Sequence, residues 1–211
     1  MKPLTKSSLG LLVALDAVER MVVALLLGHF AWTLLRSWYE TGDVAGPILL
    51  ASEGAPVVFC VIRRFAADVS LRPTDWLLAA LGTTVPLLAM PAGGGALAPT
   101  GLVLFLMLAG LGLQILAKLT LRRSFGLVAA NRGVKMGGPY RLVRHPMYAG
   151  YAVTQIGFLL ANPSVWNLAV YALGFTCQLG RIAAEERVLG RDASYRAFAA
   201  AVPHRLIPGL F

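Results

Sequence analysis

Six apolar stretches parted by short polar breaks constrain this chain more than any other feature: Val18–Trp38, Gly46–Ile62, Asp75–Met90, Thr100–Leu121, Met147–Ala161 and Val165–Ala184. A helix needs about 20 mostly apolar residues to cross a bilayer, where every backbone polar group must find its partner inside the segment. With 57% hydrophobic and 14% charged residues in 211, and a mean hydropathy of +0.70, the chain carries more apolar side chain than a soluble core of that size hides. The reading is all-α: a polytopic membrane helix bundle of about six spans, the last two a tight hairpin turned by Asn162 and Pro163. It forms a single domain over 1–211, in which 1–121 is mainly membrane spans and 122–211 carries a polar loop, the hairpin and a tail. Leu9–Leu15, ahead of the first span, is read as lying along the interface. Asp16, Glu19 and Arg20 interrupt that first apolar run, so no cleaved signal peptide is expected.

The formal net charge of +9 raises nucleic acid as a partner, but the basic residues flank the apolar stretches rather than stud an aromatic soluble face. Their distribution follows the positive-inside rule instead. All but Arg36 of the 19 lysines and arginines fall on one side of a six-span topology. The opposing loops, 39–45, 91–99 and 162–164, hold Glu40 and Asp43 but neither lysine nor arginine. Both termini are therefore expected in the cytoplasm, as in a bacterial inner-membrane protein. The polar islands Arg122–His145 and Arg181–Phe211 share that face. No internal repeat is visible, which weighs against a transporter built from paired repeats. Glu53, Asp16 and Glu19 lie in or near apolar stretches without an assigned role; Glu53 is what keeps a transport or scaffold function open.

The densest polar sequence is GPYRLVRHPMYAG, Gly138 to Gly150. Pro139 and Pro146 restrict themselves and push Gly138 and His145 away from helical geometry, so a shaped loop should lead into a helix. Tyr140, Arg141, Arg144, His145 and Tyr148 crowd into nine residues, although the tyrosines would also serve as interfacial anchors. At the end of the last span, Arg181 and Glu185 are four apart and share a helix face, with Glu186 turned about 100° away. An ordinary surface ion pair explains that spacing equally well, but ionisable groups at membrane depth tend to be functional. Cys60 and Cys177 sit in apolar runs and read as small hydrophobes. His29, His145 and His204 lack metal-ligand spacing, so no metal is expected.

GPYRLVRHPMYAGY, the Asn162-Pro163 turn and Arg181 through Glu186 together resemble the integral membrane methyltransferases of the isoprenylcysteine carboxyl methyltransferase type and their phospholipid N-methyltransferase relatives. The likeness continues into Tyr195, Val202, Arg205 and Pro208 and covers the chain from about Arg122 onward. Two departures stand out: Phe198 occupies the place of a second tail tyrosine, and the Glu186-to-Tyr195 spacing is shortened. The resemblance implies S-adenosylmethionine bound in a cytoplasmic pocket and a lipophilic acceptor entering from the bilayer, with membrane lipids as surroundings and no nucleic acid. It assigns Tyr140, His145, Pro146, Met147, Tyr148 and Glu185 to the cofactor, together with Val134 and Lys135 from the segment before the motif. It assigns Arg181 to the acceptor as the catalytic arginine.

Such a cofactor carries a sulfonium, an ammonium, a carboxylate and an adenine, so its site needs both charge signs and aromatic or apolar walls. Arg181 suits an acceptor carboxylate, which is ionised near neutral pH and needs no general base. An amine acceptor would require one, with Glu186 or His145 nearest in sequence. Membrane sterol reductases that use NADPH carry a similar Arg-His-Pro-x-Tyr stretch, and the basic run Arg122–Lys135 would suit their phosphates.

Overall fold

The computed structural model describes residues 6–42, 44–51, 69–92, 95–124 and 126–211, which are helical with no β-strand among them. The named helices are α1 (Lys6–Thr41), α2 (Pro73–Thr84), α3 (Thr100–Leu121), α4 (Pro146–Ala161), α5 (Val165–Leu189) and α6 (Ala193–Ala201). Residues 45–51 are also helical. The expected all-α class is what the chain adopts.

The expected six spans are not matched helix for helix. Among the described residues, α3 alone is long and apolar enough, by length and composition, to cross a membrane. The stretch Asp75–Met90 is not one helix: Pro86 has no amide to donate, so α2 ends at Thr84 and a single 3-10 turn, Val85–Leu88, comes after it. Leu9–Leu15 is not a separate segment either, because α1 runs unbroken through it for 36 residues. The second stretch lies mostly outside the described residues, as do Glu53, Cys60 and the side chains of Asp16 and Glu19.

Helix α3 explains how the bundle is held. Its buried positions Val103, Met107, Gly110, Gln114, Ala117 and Lys118 recur every three or four residues and form one stripe. Against it lies α4, and their backbones meet at Gly110 and Gly150. A Cβ on Gly150 would stand 2.7 Å from the Gly110 carbonyl oxygen, and one on Gly110 would stand 2.6 Å from the Thr154 nitrogen. Small residues permit this approach where no hydrophobic effect drives helices together. Polar atoms are turned into the contact: Gln114 Nε2 donates to Thr154 Oγ1 at 3.1 Å, and Lys118 Nζ to Gln114 Oε1 at 3.2 Å. Apolar side chains are turned out, with Leu102, Phe105, Leu108, Leu116 and Leu119 all exposed.

The hairpin is less tight than its sequence suggests. While α4 packs chiefly on α3, α5 packs chiefly on α2, so the two arms lean on different neighbours. Their turn is nonetheless well fastened. Asn167 Nδ2 donates to Met90 O and Asn162 O, and Asn162 Oδ1 accepts from Ala92 N. One buried cluster surrounds this end, including Phe30, Leu34, Val103, Phe158 and Tyr171. A second cluster, built on Tyr140, Tyr148, Tyr151, Tyr195 and Leu206, sits at the other end, around the polar motif.

Candidate active site

The motif folds as a 3-10 turn, Gly138–Arg141, that leads to the start of α4. Gly138 takes φ +54°, and a Cβ there would meet Thr120 Oγ1 at 2.7 Å, so both conformation and space require glycine. His145 stands just ahead of α4 at φ −128°, and Pro146 opens the helix where its missing N–H costs nothing. The tail then clamps this junction: Arg144 N donates to His204 O at 2.9 Å and His145 N to Arg205 O at 2.8 Å.

Two adjacent glutamates of α5 face the motif in different ways. Glu186 receives three partners: Arg144 Nε at 2.9 Å, His145 Nε2 at 3.1 Å and Arg205 Nη2 at 2.8 Å. Burial pushes its carboxyl up, but the hydrogen bonds from His145, Arg205 and Arg144 outweigh that and hold it well below the ordinary carboxylate range. Glu185 accepts a hydrogen bond from the Tyr148 hydroxyl and lies 3.8 Å from His145 Nδ1. Glu185 lines a pocket.

That pocket brings together Val134, Lys135, Tyr140, His145, Met147, Tyr148 and Glu185, seven of the nine residues singled out from sequence. Pro146 is buried at the helix start and does not line it. Arg181 does not line it either. Its guanidinium lies behind the pocket, 5.4 Å from the centre of the Tyr148 ring, and donates to Leu127 O at 3.0 Å. It reaches that position across Gly82, where a Cβ would come within 2.8 Å of Arg181 Cδ. Tyr148 therefore touches both, its hydroxyl on Glu185 and its ring beside Arg181.

Sequence spacing missed the rest of the lining. Ser124, Val128, Ala130, Arg132, Arg144, Leu189, Tyr195 and Phe198 also face the pocket. The Tyr195 hydroxyl is buried with no hydrogen-bond partner among the described residues, and burial, with Glu186 nearby, raises its pKa above the ordinary tyrosine value. Burial likewise raises that of Tyr140, with Glu185 adding to the shift. Both phenols stay protonated and can donate. The tail thus contributes to the lining despite its shortened spacing, with Phe198 packed edge-on to Tyr195, ring centres 5.8 Å apart.

The pocket offers the mixture that a zwitterionic, cationic nucleoside needs: a carboxylate at Glu185, cations at Lys135 and Arg132, aromatic walls and one unsatisfied hydroxyl. Comparison with curated proteins gives no match. Residues 98–192, which span α3, the motif, α4 and α5, match the phospholipid methyltransferase family. The segment that builds most of the pocket is thus a phospholipid methyltransferase domain by this match, in agreement with the resemblance that the motif carries.

Proposed function

We propose that the protein transfers a methyl group from S-adenosylmethionine to a lipophilic acceptor at the cytoplasmic face of a membrane, and that the acceptor atom is a lipid carboxylate oxygen. The observation that carries the reading is the arrangement around Tyr148: its hydroxyl bonds Glu185 in an aromatic-walled pocket that also holds Lys135 and Arg132, and its ring lies against the buried Arg181. Bound in that pocket, the cofactor would supply an electrophilic methyl on sulfur, already activated for in-line displacement. Alignment and exclusion of water then supply much of the rate, and no protein nucleophile is needed.

The chain's own residues account for the remainder. Glu185, fixed by Tyr148, presents negative charge to a cation; Lys135 and Arg132 present positive charge to a carboxylate; Tyr195 offers a hydrogen bond. Arg181 would orient an acceptor carboxylate through paired N–H groups. An amine acceptor must first lose a proton, and Glu186, held ionised by hydrogen bonds from His145, Arg205 and Arg144, is a weak base for that task. The outward apolar face of α3, with polar side chains turned inward, supports a membrane setting. The six-span topology with cytoplasmic termini remains part of this proposal, resting on the placement of basic residues.

The test is to incubate the purified protein with methyl-labelled S-adenosylmethionine and extracted lipids, then treat the labelled product with mild alkali. Release of volatile methanol supports an ester; label retained through alkali assigns an amine acceptor. Thermal shift separates cofactors independently: S-adenosylhomocysteine should raise the melting temperature, and a rise with NADPH alone overturns the reading. Glu185→Ala should weaken S-adenosylhomocysteine binding, whereas Arg181→Ala should mainly raise the acceptor KM.

A further inference from the structure

From Gly126 to Arg132 alternate residues line the pocket, after which Gly133, Val134 and Lys135 line it in succession. Val128, Ala130, Arg132 and Val134 face the pocket. Between them, Leu127, Ala129 and Asn131 are tied away from it. Leu127 O accepts from Arg181 Nη2 at 3.0 Å. Asn131 Nδ2 donates to Asp192 Oδ2 at 3.0 Å. Ala129 O accepts from Ser70 N at 2.9 Å, beside an antiparallel bridge between Val69 and Ala130.

The outer two ties come from inside the family-matched segment, but the middle one comes from the N-terminal half. Ser70 is itself held in place. Its hydroxyl donates to Asp75 Oδ2 at 2.5 Å, and its carbonyl accepts from Trp76 Nε1 at 2.8 Å. Asp75 is 3% exposed and is gripped by both terminal nitrogens of Arg187, at 3.0 to 3.3 Å. Arg187 stands on α5, two residues beyond Glu185. A two-pronged arginine contact to a buried carboxylate fixes direction as well as distance, and such a carboxylate is costly to leave unpaired.

We propose that Asp75 is a positioning residue for the cofactor pocket: through Ser70 it sets the 128–130 wall at a fixed distance from Glu185, using Arg187 as the common anchor. The N-terminal half would then complete the site rather than only thread the membrane. The proposal rests on the cofactor reading above for what the pocket binds, but not for the existence of the latch.

Two measurements test it. In Asp75→Asn, and in the milder Ser70→Ala, amide exchange in peptides covering 69–76 and 126–135 should accelerate about tenfold; unchanged exchange overturns the latch. In the same variants the Kd for S-adenosylhomocysteine and the KM for S-adenosylmethionine should rise about tenfold while the acceptor KM holds. Gly157→Ala, which crowds Met107 at 2.6 Å in the other end of the bundle, supplies a comparably destabilised control whose cofactor KM should not move. Accelerated exchange with unaltered cofactor constants, or an equal rise in the control, overturns the positioning role. Should the unaltered protein bind no S-adenosylhomocysteine, the cofactor reading falls, and the exchange result still decides the latch.

Discussion

At the scale of single residues, Glu185 and Glu186 show how position on one helix assigns opposite duties to the same side chain. One faces the pocket and the other is neutralised by Arg144, His145 and Arg205. Removing the second charge leaves two arginines and His145 without their acceptor, so Glu186→Gln should cost about 3 kcal/mol and lower the melting temperature. The pH dependence has a definite sign. A carboxyl whose folded pKa is depressed stabilises fully above its unfolded pKa, about 4.3, and loses that contribution as pH falls below it. The gap between the unaltered protein and Glu186→Gln should therefore be constant above about pH 5.5 and narrow below about 4.3; a gap that widens on acidification contradicts the assignment. His145, Tyr148 and Glu185 were singled out in sequence through the family resemblance, and the fold brings all three to one pocket. The ring around Glu186 was not legible, since helical spacing shows which residues share a face but not what arrives opposite them from 42 residues away.

Among the elements, the α3–α4 contact matters most, because it carries the motif at one end and the hairpin turn at the other. Its glycines are not equivalent. Gly150 abuts the Gly110 carbonyl, whereas a Cβ on Gly112 of the same α3 would meet nothing within 4 Å. Gly150→Ala should therefore overpack the interface and cost about 1–3 kcal/mol. Gly112→Ala should be neutral or stabilise by up to about 1 kcal/mol through helix propensity. Thermal unfolding in detergent separates them, and equal shifts would show that the backbones do not touch there. The extent of α3 was readable from its apolar run, Thr100 to about Leu121, as was the end of α4 at Ala161. The break in the third stretch was signalled by Pro86 and overridden by its hydropathy. The seam itself stayed hidden, because a glycine in an apolar run does not announce whether it faces lipid or another backbone.

For the whole molecule, the family-matched segment ends at residue 192, yet the C-terminal residues beyond it close the pocket. Tyr195 and Phe198 of α6 line it, Leu206 is buried in the same cluster, and the backbone carbonyls of Val202, Pro203, His204 and Arg205 accept hydrogen bonds from Arg144 and His145. Deleting residues 202–211 removes these acceptors together with the Arg205 ion pair. It also removes Leu206, whose loss alone should cost about 2–5 kcal/mol. Arg205→Ala removes the ion pair and leaves the acceptors in place. If the tail holds the motif chiefly through its backbone, the deletion should weaken S-adenosylhomocysteine binding at least tenfold and Arg205→Ala by much less. If charge alone matters, the two should match. Titration calorimetry on both variants, at a temperature where each remains folded, distinguishes these outcomes. Equal affinities in both variants and the intact chain would mean that the tail covers the pocket without shaping it. The backbone reading is the one the geometry favours, because Arg144 and His145 receive their tail contacts at the entrance to α4, where a displaced junction would carry Met147 and Tyr148 out of the pocket with it.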